Sequence, residues 1–323
     1  MQPVAIIATV LNEAQDIPRL VPSLLAQTPP ASEIIIVDGG STDGTWEWLV
    51  ESARNHPTLH PLRDESCNLK QSPGPISRGR NVAIAAANSE IIACVDAGCT
   101  YSPDWLARIT APLLAGTAEY ALGGSCLDLA DATLWDLASS HFFGVRLEID
   151  APTKSCTARS MAFRKDLWRR IGGFPESVFF GEDTLFDQQA RSLVSPAFIE
   201  RAKALYRPQY DLQSACRQLA GYSISDGILG VRPARFFRNA ARCVLEVLAL
   251  LSLWWTWIPL AAVLALESWF AFRHNLRFLL RAGPRAVLAR FLFSILVPWV
   301  VAINQIRGSL TKTNPSNRQN LQP

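Results

Sequence analysis

The chain has 323 residues, of which 49% are apolar and 18% are charged, and its net charge is +3. This length allows one large domain or two ordinary ones, and so slight a charge excludes the strongly basic surface that nucleic-acid binding needs. The charged fraction is low for a fully soluble protein, and the apolar excess is concentrated after residue 243. We therefore expect a globular N-terminal region followed by a membrane-associated segment.

The cysteines and histidines give no sign of a disulfide framework or a zinc site. The seven cysteines are odd in number and form no C-x-x-C pair, which is typical of free thiols in a reducing compartment. The four histidines have no metal-ligand spacing. The first apolar run, Val4 to Leu11, is short and lacks a basic leader, so we interpret it as a strand rather than a signal peptide.

Strands and helices alternate over the first 115 residues. The pattern predicts strands at Val4–Thr9, Ile34–Val37 and Ile91–Val95, and helices at Asp16–Leu25, Thr45–Ala53, Ser77–Ala87 and Asp104–Leu114. Because these strands are apolar throughout, they predict a parallel sheet covered on both faces, and the fold class is α/β. The middle third is less regular, with expected strands at Ala121–Leu129, Ala158–Phe163 and Pro196–Tyr206 and expected helices at Leu134–Phe143 and Asp183–Leu193.

The last third has the composition of a membrane segment. Val244–Leu266 is long enough to span a bilayer, whereas Phe291–Ile303 alone is short for it. Tryptophans 254, 255, 257, 269 and 299 are typical of an interfacial belt. A buried helical hairpin in a soluble domain is the alternative interpretation.

Arginines flank the first apolar run on both sides, at 232, 235, 238 and 242 and again at 273, 277, 281 and 285. Basic residues favour the cytoplasmic side, so we predict that Pro259 splits the run into a hairpin whose two ends lie on the same side. Residues 270–282 show arginines on one helical face, as in a helix lying in the membrane interface. We expect a cytoplasmic catalytic domain over residues 1–230, a membrane hairpin with interfacial helices over 231–308, and a disordered polar tail over 309–323.

Two carboxylates follow apolar strands, Asp38 after Ile34–Val37 and Asp96 after Ile91–Val95. Carboxyl ends of parallel strands meet at one sheet edge, so this pair indicates a nucleotide and its metal. Asp16 and Asp43 open helices and are interpreted as caps. The sequence has no G-x-G-x-x-G, P-loop or G-x-S-x-G motif, which argues against hydride transfer, P-loop ATP hydrolysis and serine hydrolysis.

Four stretches in this order resemble the inverting, GT-A type glycosyltransferase family 2, in particular the branch of succinoglycan-type exopolysaccharide biosynthesis. They are VAIIATVLNEAQDIPRLVPSLLAQ (4–27), IIIVDGGSTDGTWEWL (34–49), SRGRNVAIAAANSEIIACVDAGCTYSPDWL (77–106) and FRKDLWRRIGGFPESVFFGEDTLFDQQAR (163–191). The resemblance covers residues 3–225. It implies a GT-A, Rossmann-like nucleotide-diphospho-sugar transferase domain with a mostly parallel central sheet, followed here by membrane-associated helices.

The resemblance also implies roles for single residues. The positions matching the family's nucleotide-sugar site are Thr9, Glu13, Asp38, Arg80 with its neighbour Asn81, and Asp96. Asp183 matches the general base that deprotonates the acceptor hydroxyl, and Glu182 would orient it. Asp96 matches the first residue of the D-x-D motif, which binds Mn²⁺ or Mg²⁺. The implied reaction is one displacement at the anomeric carbon with inversion.

The sequence departs from the family's pattern at two places. Gly98 stands where D-x-D has its second carboxylate, so Asp96 would act alone or through water. His141 is a possible substitute ligand; the other interpretation of this residue is a partly buried helical histidine. The Q-x-x-R-W motif of processive synthases is absent from residues 213–222, which favours a single transfer. Arg217 and Tyr222 remain candidates for contact with the acceptor or the diphosphate, or for an amphipathic interfacial helix.

The leading hypothesis is therefore a membrane-associated, hexosyltransferase-like enzyme of cell-envelope polysaccharide synthesis. It would move one sugar from a nucleotide-sugar donor, a UDP-sugar, to a lipid-linked or polysaccharide acceptor, with membrane lipid as a further partner and no nucleic acid. A non-catalytic nucleotide-sugar-binding subunit of a polysaccharide assembly complex is the second hypothesis, motivated by Gly98. A nucleotidyltransferase is the third, although Leu11-Asn12-Glu13 replaces the Gly-rich basic loop that such enzymes carry.

Overall fold

The computed structural model describes residues 2–147, 156–273 and 276–312. The chain divides into two compact units, Met1–Asp128 with Gly144–Arg207, and Leu129–Phe143 with Pro208–Pro323. This division rests on contacts between residues in the structure. The predicted domain limits at residues 230 and 308 rest on sequence composition, and they stay a prediction. Residues 309–312 belong to a helix rather than to the predicted polar tail, and the rest of that tail lies outside the described residues.

The first unit contains ten strands and six helices within its described residues. The strands are β1 (Val4–Val10), β2 (Glu33–Asp38), β3 (Leu59–Arg63), β4 (Ile91–Cys94), β5 (Cys99–Thr100), β6 (Tyr120–Leu122), β7 (Ser125–Leu127), β8 (Met161–Arg164), β9 (Ala197–Phe198) and β10 (Ala204–Tyr206). The helices are α1 (Ile17–Leu25), α2 (Thr45–Asn55), α3 (Pro75–Ala86), α4 (Trp105–Leu114), α6 (Lys165–Ile171) and α7 (Glu182–Leu193).

Seven of the strands form a central sheet in the order β3-β2-β1-β4-β8-β6-β9, and β5, β10 and β7 form a second sheet. The β3-β2-β1-β4 half is parallel, β8 is antiparallel to both of its neighbours, and β9 is parallel to β6. Alternate residues of β1 face two different apolar clusters: Ile6 lies in one and Ile7 in the other. The mostly parallel α/β sheet with both faces covered is thus confirmed.

Two predicted strands of this unit differ from the structure, and one strand of the central sheet was not predicted. The expected strand Ala121–Leu129 is two strands, β6 and β7, in different sheets, and the glycine pair between them includes Gly124 with a left-handed φ of 80°. The expected strand Pro196–Tyr206 is likewise β9 and β10, also in different sheets. Strand β3 is absent from the sequence-based prediction, since its sequence LHPLR is short and only its first residue is buried.

The second unit is helical in its described residues. Its helices are α5 (Leu134–Ser139), α8 (Leu212–Leu229), α9 (Pro233–Ser252), α10 (Ile258–Phe272), α11 (Leu276–Ala282) and α12 (Pro284–Lys312). The expected helix Leu134–Phe143 ends early and continues as a 3₁₀ turn over Ser140–Phe143. A capping box starts α5: the hydroxyl of Thr133 accepts the Asp136 N–H, and the Asp136 carboxylate accepts the Thr133 N–H.

The long apolar run is not one helix, because Val244–Leu266 is divided between α9 and α10. The run is divided as predicted, but the break lies at residues 253–257, and Pro259 stands in the first turn of α10, where a missing N–H costs nothing. In the described chain, one helix is long and apolar enough to cross a membrane, Pro284–Thr311. Half of its most apolar window is buried, so length and composition suggest membrane association only weakly. Phe291–Ile303 is the middle of this longer helix.

Candidate active site

The carboxyl ends of the parallel strands assemble the first part of the site. Val10 of β1 pairs in register with Asp38 of β2, and Ile7 of β1 pairs with Cys94 of β4, two residues before Asp96. Thr9 faces helix α3 at very short range, because a Cβ at Gly79 would lie 2.2 Å from the Thr9 hydroxyl oxygen. Only glycine lets α3 approach the strand this closely.

Asp38 has one oxygen engaged and one oxygen free. Its Oδ1 accepts the backbone N–H groups of Gly40 and Ser41, both at 2.9 Å, which holds the turn after β2. Its Oδ2 is buried and has no hydrogen-bond partner in the described chain. A buried acceptor without a donor is costly, so this oxygen is suited to a ligand N–H or hydroxyl group.

The loop after β1 is fastened to the loop after β2. The Asn12 N–H donates to the Ser41 hydroxyl at 2.8 Å, and the Asn12 side-chain oxygen accepts the Thr42 N–H at 2.9 Å. The Glu13 N–H donates to the Thr45 hydroxyl at 2.8 Å. Asn12 has a φ of 57°, a left-handed conformation that asparagine tolerates better than most residues. These contacts hold the backbone at Asn12 and Glu13.

Glu13 is surrounded by other acids. Burial raises the pKa of its carboxyl group to about 7, and the negative charges of Asp16, Asp96 and Asp43 add to the effect in that order. Two of these acids are paired with arginines, Asp96 with Arg80 and Asp16 with Arg207, so the charge of the edge is partly offset within the protein.

Arg80 connects the end of β4 to the start of α7. One of its terminal nitrogens donates to Asp96 at 2.6 Å and the other to Glu182 at 2.7 Å. The Arg80 side chain is only 2% exposed, and its guanidinium lies over the ring of Phe174. The two carboxylates raise the pKa of Arg80, so it remains a cation in spite of its burial.

Asp183 occupies the first turn of α7, directly after Gly181, whose φ of 81° turns the chain into the helix. Its carboxylate accepts the Thr184 N–H at 2.7 Å. The preceding Glu182 is buried, and this burial together with the charge of Asp183 raises its pKa in spite of the bond to Arg80. The pair therefore combines a partly exposed carboxyl group, that of Asp183, with a buried one that is bonded to Arg80.

Asn81 stabilises the segment before α7 through its side-chain hydrogen bonds. Its side-chain nitrogen donates to the Phe174 carbonyl and to Glu176, both at 2.9 Å, and its oxygen accepts the Phe174 N–H at 2.8 Å. The Trp168 indole also donates to that oxygen. Asn81 thus holds the segment that leads into α7, and its side chain is fully used within the protein.

The remaining candidates, Arg217, Tyr222 and His141, belong to the second unit. Arg217 is exposed on α8, and the ring of Tyr222 lies 6.1 Å from that of Phe143. His141 lies in the 3₁₀ turn after α5, where its ring contacts Phe142. The structure brings Asp96, Arg80 and Glu182 into direct contact in the first unit. Arg217 and Tyr222 lie on α8, and His141 lies in the 3₁₀ turn.

The donor set for a divalent cation is small. In the described residues, no group of three His, Cys, Asp or Glu side chains is arranged to hold a metal ion. Gly98 has no side chain to serve as a ligand. One carboxylate oxygen of Asp96 accepts a hydrogen bond from Arg80, and the Asp96 side chain remains 28% exposed. A cation that binds through one carboxylate and the oxygens of a substrate diphosphate is compatible with this arrangement.

Sequence reasoning missed the ion pair between Asp16 and Arg207. Asp16 stands at the N-cap position of α1 but makes no cap hydrogen bond, which contradicts its interpretation as a cap; instead it accepts from Arg207 at 2.6 Å. The Arg207 N–H donates to the Gly98 carbonyl at 2.8 Å. These contacts anchor the turn that replaces D-x-D. No local signal links residues 191 positions apart, so only the fold could reveal them.

Comparison with known proteins is consistent with this geometry. The chain is 24% identical to glycosyltransferase AglE of Haloferax volcanii, over 98% of each chain. It is 26% identical to the succinoglycan biosynthesis protein ExoA of Rhizobium meliloti, over 82% of this chain and 79% of the relative.

Two solved structures share the fold. The mannosyltransferase PcManGT of Pyrobaculum calidifontis, in complex with GDP-mannose and Mn²⁺, has a TM-score of 0.56 and 20% identity, covering 98% of this chain and 88% of its own. Residues 1–349 of S. aureus TarS give a TM-score of 0.50 and 19% identity, covering 97% and 92%. At this identity the likeness shows the GT-A fold alone. Residues 5–172 match the family described as glycosyl transferase family 2, and the chain belongs to this family of glycosyltransferases.

Proposed function

We propose that the enzyme transfers a single sugar from a UDP-sugar to a lipid-linked or polysaccharide acceptor, with inversion at the anomeric carbon. The observation that carries the proposal is the position of Arg80. It joins Asp96, at the nucleotide end of the sheet, to Glu182, the residue next to Asp183. Such a transfer needs a binding site for the donor and a general base, and Arg80 bonds to a residue of the first and to the neighbour of the second.

Each side chain has a defined task in this mechanism. The free Oδ2 of Asp38 accepts a hydrogen bond from the base or ribose of the nucleotide. Asp183 takes the proton of the acceptor hydroxyl while that oxygen attacks the anomeric carbon and the bond to the diphosphate breaks. Arg80 holds Glu182 in place beside Asp183, so that the base keeps its orientation. The products are the glycosylated acceptor and a nucleoside diphosphate.

A divalent cation would be held by Asp96 together with the diphosphate of the donor. When bound, Mn²⁺ or Mg²⁺ would neutralise the charge that develops on the departing diphosphate. The grouping of Glu13, Asp16 and Asp96 supports this proposal, because a cation bound beside Asp96 would reduce the repulsion on the Glu13 carboxylate. The mannosyltransferase PcManGT is seen with GDP-mannose and Mn²⁺ together, which is consistent with a donor that binds with its cation.

The experiment is nucleoside diphosphate release from a panel of nucleotide sugars, with a lipid extract as acceptor. Asp183→Asn should lower turnover by about 10²–10⁴-fold while leaving nucleotide binding intact, since the general base is lost. Asp166→Asn is the matched control, because that carboxylate is 63% exposed on α6 and distant in sequence from the site. Unchanged turnover in Asp183→Asn would disprove the proposed base.

We further propose that the second unit binds the membrane surface and that the catalytic unit is cytoplasmic. Trp254 and Trp255, between α9 and α10, are 86% and 83% exposed. Arginines 273, 277, 281 and 285 are all exposed, and no acidic residue follows Glu267 in the sequence. This combination of tryptophan and uncompensated positive charge favours an anionic lipid surface. A reporter fused near residue 280 should prove cytoplasmic; an extracytoplasmic reporter would refute the topology.

A further inference from the structure

Arg159 lies at the same edge of the central sheet as Asp96. Strand β8 is antiparallel to β4, and its first residue, Met161, pairs in register with Cys94 at the carboxyl end of β4. The 3₁₀ turn Ala158–Ser160 directly precedes β8, so the fold brings this turn to the edge where the parallel strands end. Arg159 belongs to this turn and is partly exposed.

Hydrogen bonds hold this turn between the two parts of the candidate active site. The Tyr101 hydroxyl donates to the Arg159 carbonyl at 2.7 Å and accepts the Asp96 N–H at 3.3 Å. The Ala158 N–H donates to the Asp183 carboxylate at 3.4 Å. The backbone of Arg159 is therefore linked to that of Asp96 through one side chain, and the residue before it contacts Asp183.

The Arg159 guanidinium lies beside the turn that replaces D-x-D. Its carbon is 4.0 Å from the centroid of the Tyr206 ring, and a Cβ added at Gly98 would lie 3.7 Å from Cε2 of the same ring. Burial raises the pKa of the Cys99 thiol, the positive charge of Arg159 opposes this rise, and the negative charge of Asp96 adds to it. The cation and the carboxylate thus both act on the residue that follows Gly98.

We propose that Arg159 binds the diphosphate of the nucleotide-sugar donor, and so supplies positive charge at the turn where Gly98 offers no carboxylate to a metal ion. A guanidinium can donate two parallel N–H groups to phosphate oxygens. Its contact with the Tyr206 ring holds it in place, so less conformational freedom is lost when the diphosphate binds. The inference rests on the proposed function, because it assigns a residue to the donor of that reaction.

The test is equilibrium binding of UDP and uridine to the full-length protein in detergent, with EDTA and with Mn²⁺. In EDTA, the wild type should bind UDP, and Arg159→Gln should bind it at least about tenfold more weakly, because charge-assisted hydrogen bonds to the diphosphate are lost. The affinity for uridine, which has no phosphate, should stay unchanged. Arg159→Lys keeps the charge and should retain part of the UDP affinity, which covers the case in which Arg159→Gln does not fold.

Arg169→Gln is the matched control. Arg169 is exposed on α6, and α6 begins at the opposite edge of the sheet, after Arg164 has paired with Ile91 at the start of β4. This variant should bind UDP and uridine as the wild type does.

The outcomes separate the inference from the function on which it rests. Equal UDP affinity of the wild type and Arg159→Gln would overturn the assignment, and so would an equal loss of UDP and uridine affinity, which would mean that Arg159 only supports the fold of the site. A wild type that binds UDP only when Mn²⁺ is present would overturn it as well. The same measurements are made with GDP and guanosine. Arg159-dependent binding of GDP, without binding of UDP, would support the diphosphate site and count against the proposed UDP-sugar donor.

Discussion

The two units differ in which apolar residues they expose. In the first unit, the interior holds the sheet's isoleucines, and the charged residues of the site gather at the carboxyl edge of the strands. In the second unit, ionic side chains such as Arg242, Glu267 and Arg290 are buried, while leucines and tryptophans are exposed. The exposed apolar side chains of the second unit are the feature that the proposed membrane binding would explain, and these ionisable residues face the interior of the helices, as membrane binding also requires.

The buried arginines of the two units also have different roles. Arg80 ties together residues of the proposed donor and base sites, so its ion pairs position chemistry. Arg242 joins α9 to α10 through Glu267 and also donates to the Ser294 carbonyl at 2.9 Å, so its bonds hold three helices together. The same side-chain type therefore serves function in one unit and architecture in the other.

The largest expected effect comes from Arg80→Met. This change leaves Asp96 and Glu182 without their shared cation, and breaking a buried pair lowers the free energy of unfolding by about 3–5 kcal/mol. Turnover should fall as well, because Glu182 loses its fixed position. Denaturant unfolding and diphosphate release measure the two effects. Full turnover in a stable Arg80→Met variant would show that the pairs have no part in catalysis.

Arg242→Met tests the architectural role and should affect stability alone. Loss of the bond to Glu267 should again lower the free energy of unfolding by about 3–5 kcal/mol. The double variant Arg242→Met with Glu267→Gln should recover part of this loss, since no unpaired charge is left. Unfolding in detergent is the measurement, and a double variant less stable than Arg242→Met would contradict the explanation.

Glu13→Gln should make the protein more stable at high pH. The raised pKa of about 7 means that the folded state holds a proton that the unfolded state, with the ordinary glutamate pKa of 4.5, has released. Stability from this group is therefore present below pH 4.5 and is lost as the pH rises through 7. The variant should gain about 1–3 kcal/mol over the wild type at about pH 8, after allowance for solvent screening. The gain should vanish near about pH 4, and a constant gain at all pH values would contradict the argument.

The smallest effect on stability is expected for the tryptophans at the end of α9. Replacing Trp254, Trp255 and Trp257 by serine should change the free energy of unfolding by less than about 0.5 kcal/mol per residue, because all three are exposed. Binding to anionic vesicles should fall more than about tenfold, since each large side chain buried in lipid contributes about 1.5–3 kcal/mol. Leu193→Ser, at an exposed leucine of the first unit, should leave vesicle binding unchanged.

The sequence predicted the parallel core well, because β1, β2 and β4 are continuous apolar runs that few other structures accommodate. It failed where a strand was short or half-exposed, as in β3, or where glycine divided an apolar stretch, as at Gly123 between β6 and β7. It also underestimated α12, since the apolar stretch Phe291–Ile303 is extended at both ends by residues whose polarity hides the helix.

By itself, the sequence determined the strand-ending carboxylates, the order of the four family motifs and the apolar character of the last third. These are local properties, carried by neighbouring residues and by the spacing between them. Only the tertiary structure decided that Arg80 bonds to Asp96 and Glu182, that Asp16 pairs with Arg207 instead of capping α1, and that Arg290 is buried with two nitrogens unpartnered among the described residues. The physical reason is that an ion pair depends on distance and solvent exposure, and both are set by packing between elements far apart in the chain.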